Sequence, residues 1–403
     1  MSGETPEGWR VAKLGEIAVL SGGTTPPKSN NAYWMQGDVP WATPSDITSL
    51  PLGQARIAAT EAHVAELALK ECSLKLNPTG TVLMTSRATI GFAVINDVPM
   101  ATNQGFLNFT CFDDCDPRFL CHWLNANRGL LTAAAGGSTF KELSRGTAKL
   151  LPISLPTLDE QRKIAEVLRS ADDAIAAASE AARQAARTFD SVIASVLGPY
   201  AAASGAPNAE TAPLADFCQR VTYGFTNPMP TTDNGPWMVT ALNVKNGKID
   251  YATARHTSAS AYDALTEKSR PPIGAVLVTK DGTLGRVAVV DQPDVCVNQS
   301  VAVLEPRKGV LNPLFLSYLL QSEIGQTRML ADSGGGSVKH IYITKLGAMP
   351  VSVPSFAEQT KIADQVAKCS AAVELAEQSL RQLRQLRIST ADDLLTGRVR
   401  VPA

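Results

Sequence analysis

Charge is what this sequence has little of. Only 19% of its 403 residues are charged, and 37 basic residues stand against 38 acidic ones for a formal charge of −1. No surplus of Lys and Arg marks a chain that binds nucleic acid mainly by neutralising phosphate. No run approaches the roughly 18–20 apolar residues that span a bilayer, and residues 1–10 have neither an apolar core nor a cleavage-type site. A cytoplasmic protein without a membrane partner is expected. The seven cysteines are odd in number and scattered, unlike a secreted disulfide framework, so free thiols are expected. His63, His122, His256 and His340 lie far apart, and the group Cys111, Cys115, Cys121, His122 matches no standard zinc spacing, so no metal site is expected. With 44% hydrophobic residues the chain can fold, and its length suits two to four domains.

What is present is a sequence written twice. Residues 80–91 (GTVLMTSRATIG) align with 274–285 (GAVLVTKDGTLG) without a gap, at an offset of 194. Asn103-Gln104 then meets Asn298-Gln299, Gly136-Gly137-Ser138 meets Gly335-Gly336-Ser337, and Pro152–Pro156 meets Pro350–Pro354. Glu160-Gln161 matches Glu358-Gln359 at an offset of 198, and upstream Pro40-Trp41 pairs with Pro236-Trp237. This is a tandem duplication, with a unit too long for a solenoid repeat.

Each unit has a mixed segment and then a helical one. Short β-rich runs at 82–84 and 92–95 recur at 276–279 and 287–290, and residues 118–131 and 314–330 have helical apolar spacing, which makes each mixed segment α+β. The helical segments carry a heptad seam: Ile164, Leu168, Ala171, Ile175, Ala178, Ala182, Ala185 and Phe189 in the first, then Ile362, Val366, Cys369, Val373, Ala376, Leu380 and Leu383 in the second. Beyond Leu383 it weakens, because Arg387 and Thr390 fall on seam positions. Arg381, Arg384 and Arg387 line one helical face, read as solvated or as a contact stripe. The first helix, over 159–197, would be roughly 58 Å long. Small seam residues in it and larger ones in the second predict antiparallel pairing in an intramolecular coiled coil with pseudo-twofold symmetry. The expected division is a mixed domain at 1–156, a helix at 157–197, a linker at 198–213, a second mixed domain at 214–354, a helix at 355–397 and a tail at 398–403. Two similar faces at a set separation suit a repeating polymer such as B-DNA, although a tandem protein-binding scaffold shares that layout.

The order Pro6-Glu7-Gly8-Trp9, Leu14-Gly15-Glu16-Ile17, Pro40-Trp41 with Asp46-Ile47, Asn103-Gln104, Gly-Gly-Ser, and Pro-x-x-x-Pro followed by Glu-Gln-x-x-Ile resembles the specificity subunit of type I restriction-modification systems. Most of it recurs in the second half, which lacks the Gly-Trp element. The resemblance implies two target recognition domains, each reading one half of a split asymmetric sequence in double-stranded DNA, with the helices setting the gap. It implies two modification (methyltransferase) subunits as partners, with S-adenosylmethionine bound there and no cofactor in this chain, and a restriction (motor-nuclease) subunit as a further partner in some systems. A specificity subunit of a related methyltransferase system without that nuclease remains an alternative. No catalytic residue is expected here. Thr25-Pro26-Pro27-Lys28 and Arg270-Pro271-Pro272-Ile273 both lack the aromatic residue that ends an amino-methyltransferase motif.

Polar turns are the candidate DNA contacts. Arg87 and Thr89 lie between the first unit's strands, and Lys280, Thr283 and Arg286 occupy the matching stretch of the second. The Gly-Gly-Ser segments add Ser138, Thr139, Lys141, Ser337, Lys339 and His340, where glycine lets backbone approach phosphate. A solvated hairpin tip and a flexible connection are the competing readings. Asn103-Gln104 and Asn298-Gln299 read as structural turns, and Trp41 and Trp237 as core. Residues 1–150 carry 12 basic and 13 acidic groups and residues 210–350 carry 13 and 12, so tight DNA binding is expected to need the modification subunits.

Overall fold

The computed structural model describes residues 5–51, 53–137, 141–203, 206, 208–331 and 339–401. They form two compact units, Met1–Ala181 with Ala376–Ala403, and Ala182–Leu375. Each unit is a mixed domain plus part of both long helices.

The duplication is visible strand by strand. The larger sheet of the first unit runs Ala18–Gly22, Phe106–Cys111, Val82–Thr85, Ala93–Asn96, with Arg56–Ile57 added in parallel at the edge. That of the second runs Cys218–Tyr223, Val301–Pro306, Val276–Thr279, Val287–Val289 in the same order, and the neighbours are antiparallel in both. A three-stranded sheet also recurs: His63–Val64, Val39–Ala42, Ala101–Thr102 in one unit and Arg255–His256, Thr232–Val239, Val295–Val297 in the other. Val82–Thr85 and Val276–Thr279 are buried along their whole length, which explains why they read as unbroken apolar runs.

One face of each larger sheet is covered by a helix that begins at proline, Pro117–Ala126 or Pro313–Gln321. Proline suits the first turn because its missing N–H has no helical partner there. The Asp116 and Asn312 side chains accept the next free N–H groups, from Arg118 and Leu314. Phe119, Leu120, Trp123 and Leu124 fill the first core, and Phe315, Leu316, Leu319 and Leu320 the second. The continuous helices expected over 118–131 and 314–330 are each broken. Asn127 and Ser322 leave helical geometry, and new helices start at Arg128 and Glu323.

The Pro-x-x-x-Pro elements are strands. Arg10–Lys13 pairs antiparallel with Pro152–Leu155, and Ala209–Pro213 pairs in the same way with Pro350–Pro354. The expected linker at 198–213 is therefore ordered at both ends. Its start is also helical, because the central helix spans Leu158–Ala202 and passes through Gly198 and Pro199. Proline inside a helix costs about 3 kcal/mol. Burial of Leu197 (0% exposed) contributes about 2 kcal/mol against that. Ala201 is buried as well, and the Tyr200 ring packs edge-on against Phe315 at 5.8 Å. Tertiary packing outweighs the helix breaker.

The distal helix spans Phe356–Thr396. Of the expected seam, Ile164, Leu168, Ile175, Ala182, Ile362 and Val366 are buried. Ala171, Ala178, Ala185, Phe189, Cys369, Val373, Ala376, Leu380 and Leu383 are half-buried. Within the first unit, Ile164 and Leu168 share a core with Ala391, Leu394 and Leu395. Asp172 pairs there with Arg387 and Glu160 with Arg400, so within this unit the two segments run antiparallel. Arg387 is not part of a solvated stripe: it lies on the seam, with its side chain 18% exposed. In the second unit Ile193, Leu197 and Ala201 share a core with Ile362, Ala363 and Val366.

The Glu-Gln motif has a mechanical role. Gln161 is fully buried; its amide accepts the Asp116 N–H (2.8 Å) and donates to the Asp114 and Pro156 carbonyls (both 3.0 Å). Gln359 repeats the clamp on Asn312 N–H (2.7 Å) and the Val310 and Pro354 carbonyls (both 2.8 Å). Gln161→Leu leaves three backbone groups without partners and should cost about 3 kcal/mol. A urea melt would show this as a lower midpoint; an unchanged midpoint would mean that water replaces the amide. Glu160 differs between the units. It accepts from the Trp9 indole (3.1 Å) and binds the Arg400 guanidinium, whereas Glu358, whose unit lacks the Gly-Trp element, lies 3.7 Å from Lys361.

Candidate nucleic-acid interface

In each unit three segments meet at one end of the larger sheet. The first is the turn after the central strand, Ser86–Ile90 or Lys280–Leu284. Its frame is the same in both: the Thr85 or Thr279 hydroxyl donates to the carbonyl of Thr89 or Thr283 and accepts the N–H of Phe92 (3.1 Å) or Arg286 (2.9 Å). Gly91 or Gly285 closes the turn onto the threonine carbonyl at 2.9 Å. Ala88 and Gly282 hold the left-handed conformation at its tip, at φ 57° and 77°.

The second segment is the Asn-Gln turn. The Asn103 side chain accepts the Gly105 N–H (2.8 Å) and Asn298 accepts the Ser300 N–H (3.2 Å). Gln104 and Gln299 are exposed beside them. This turn is bonded to the first segment through Ser86 N–H to Gly105 O (2.7 Å) and Lys280 N–H to Ser300 O (2.9 Å). The strand end that passes beneath it needs glycine. A Cβ on Gly23 would lie 2.1 Å from the Asn103 carbonyl oxygen, and one on Gly224 would lie 1.8 Å from that of Val297.

The third segment returns from the Gly-Gly-Ser region. Leu143 N–H bonds Ser86 O, and Ile341 N–H bonds Lys280 O, both at 3.0 Å. Gly136 and Glu142 exchange backbone hydrogen bonds (3.1 and 3.0 Å) and close the loop between them. Ser138, Thr139 and Ser337 lie outside the described residues.

On this shared frame the side chains differ. In the first unit Arg87, Thr89 and Lys141 are exposed, and Arg87 lies 3.0 Å from Glu142. In the second, Asp281 stands where Arg87 stands and His340 where Glu142 stands, and these two are again bonded. Lys280 also binds Asp281 (2.7 Å). Burial pushes the Asp281 carboxyl up, but the Lys280 ammonium and the His340 ring outweigh it and hold it below its ordinary value. The Lys280 and Lys268 ammoniums both lie over the Tyr223 ring, at 5.6 and 5.5 Å. Thr283 and Lys339 are exposed. Arg286 is half-buried and donates to the Val244 carbonyl (3.3 Å), so it is drawn away from the tip.

Thus the structure brings Arg87, Thr89 and Lys141 to one cluster and Lys280, Thr283, Lys339 and His340 to the other. Glu142, Asp281, Tyr223 and Lys268 were missed by sequence reasoning, though Glu142 and His340 share the 198 offset that aligns Glu160 with Glu358. Trp41 is buried, edge-on to Trp34 at 5.0 Å, while Trp237 is half-buried between His256 (4.0 Å) and Tyr251 (5.2 Å). Cys115, Cys121 and His122 are buried and Cys111 half-buried; among the described residues no three His, Cys, Asp or Glu side chains are grouped to hold a metal ion. No helix among them is long and apolar enough to cross a membrane.

Two α+β domains of one topology, each presenting the same three-segment polar cluster with different side chains, define a duplicated recognition protein. The family model for the type I restriction modification DNA specificity domain matches residues 6–184 and 229–385, and the chain belongs to this family. It is 40% identical over 175 residues, 43% of its length, to the type I restriction enzyme MjaIX specificity subunit of Methanocaldococcus jannaschii. It is 24% identical over 294 residues, 66% of its length, to the EcoBI specificity subunit of Escherichia coli. These matches span 40% and 62% of the two relatives. The fold is similar to a chain solved in a study of type I restriction-modification complex assembly and conformational transition, with a TM-score of 0.65 at 19% identity, covering 98% of this chain and 100% of that one. It is also similar to the type I restriction-modification S subunit from M. genitalium, with a TM-score of 0.59 at 14% identity and 98% of both chains covered.

Proposed function

We propose that this chain is the DNA sequence-specificity subunit of a type I restriction-modification complex in the cytoplasm. It is non-catalytic, and each unit reads one half of a split, asymmetric duplex target. The long helices set the unread spacer and dock two modification subunits, which carry S-adenosylmethionine, and a restriction subunit joins them for cleavage. The observation that carries this reading is the loop frame built twice on one backbone plan with different side chains at its tip. One plan gives both units the same mode of approach, and different tips give them different bases to read. The near-neutral charge fits the division of labour, because the modification subunits would supply much of the phosphate neutralisation.

Mapping modified bases across the host genome with and without this gene tests the proposal. Modification at a two-part motif should disappear when the gene is deleted. A map unchanged by deletion would leave the tandem protein-binding scaffold as the better reading.

A further inference from the structure

We propose, resting on the specificity-subunit reading above, that Arg87 reads a guanine in the first half-site, and that the reversed charge at the matching address, Asp281, denies that base to the second unit. Glu142 is then a positioning residue, which holds the guanidinium at the mouth of the loop frame until DNA takes it.

The two addresses coincide in backbone terms. Ser86 and Lys280, the residues before them, make the same two cross-segment hydrogen bonds, and their partners Leu143 and Ile341 follow Glu142 and His340 directly. Both units therefore tie the same two loops through one side-chain pair with the carboxylate on opposite sides, Arg87 to Glu142 and His340 to Asp281. A tie that served only to hold the loops would work with either polarity. What inversion changes is the group presented outward, a planar fork of donors in one unit and an acceptor already held by the Lys280 ammonium and the His340 ring in the other.

Magnitudes favour release of Arg87 to DNA. Its side chain is 46% exposed and that of Glu142 45%, and such a solvated pair is worth at most a factor of about five in an equilibrium. A bidentate arginine contact to the O6 and N7 of guanine discriminates by roughly five- to 150-fold. Asp281 is more enclosed, 25% exposed, and bonded on both sides, so it positions Lys280 and His340 and presents no fork.

The test uses the full chain in complex with its modification subunits. The probe is duplex DNA carrying the split target defined by the genomic map, together with every single-base-pair variant of it. Arg87→Ala should abolish discrimination at one guanine-containing pair of the first half-site, a loss of roughly five- to 150-fold, and leave the second half-site unchanged. The charge-swapped pair Arg87→Glu with Glu142→Arg should recover the wild-type melting temperature but not that discrimination. Recovery of selectivity by the swap would overturn the inference, since the tie would then be structural. A uniform loss of affinity across all variants, with a shallower salt dependence, would overturn it in favour of a phosphate contact. Unchanged selectivity in Arg87→Ala would overturn it outright. If the wild-type complex selects no split target, the specificity-subunit reading itself fails.

Discussion

Asp172→Ala should destabilise the first unit by up to about 3 kcal/mol, because it removes the carboxylate from a half-buried guanidinium. Asp172 accepts two hydrogen bonds from Arg387, at 2.8 and 3.1 Å, and the two side chains are 11% and 18% exposed. The same guanidinium donates to His122 Nδ1 at 3.2 Å. The molecule contains its own neutral counterpart. In the alignment of the two units, His122, Asp172 and Arg387 correspond to Tyr318, Ser370 and Phe189, all half-buried, with Tyr318 hydrogen-bonded to Ser370. A buried ion pair replaced as a whole by groups of similar size is often neutral in stability. Transplanting Tyr, Ser and Phe together into the first unit should therefore recover most of the loss. Urea unfolding of the single and triple variants checks both expectations; a single variant as stable as wild type would show that the pair is solvated.

Acid should destabilise the same cluster before most carboxylates titrate. Burial, and next the Arg387 charge, lower the His122 pKa to about 4, while Asp172 and a backbone hydrogen bond to Ala165 pull the other way. Arg387 donates to Nδ1, so the folded protein holds the ring neutral. Between its ordinary value near 6.5 and about 4 the unfolded chain binds the proton and the folded chain does not. Stability then falls as pH is lowered through this window and levels off below it. The full loss is about 3 kcal/mol, from 1.36 kcal/mol per pKa unit. His122→Gln should flatten the stability profile between pH 6.5 and 4. A profile as steep as wild type would place the dependence on other groups.

The duplication made much of the fold legible. Because the offsets stay near constant, strand order, proline-started helices and the Glu-Gln clamp could be expected to occur twice, and they do. What local pattern could not reveal was set by distant partners. Gly198 and Pro199 signal a stop, yet burial of Leu197 and Ala201 carries the helix through them. Arg387 reads as solvated until Asp172, 215 residues away, is brought to it. Arg87 was legible as a polar turn residue, but its pairing with Glu142 was not, because the two lie on different loops joined only by the fold.

The most direct test of the account is a genomic map of modified bases in cells whose chain carries residues 1–150 from a relative of different specificity. One half of the split motif should change while the other half and the spacer stay as they were. Loss or change of both halves together would contradict the claim that the two units read independently.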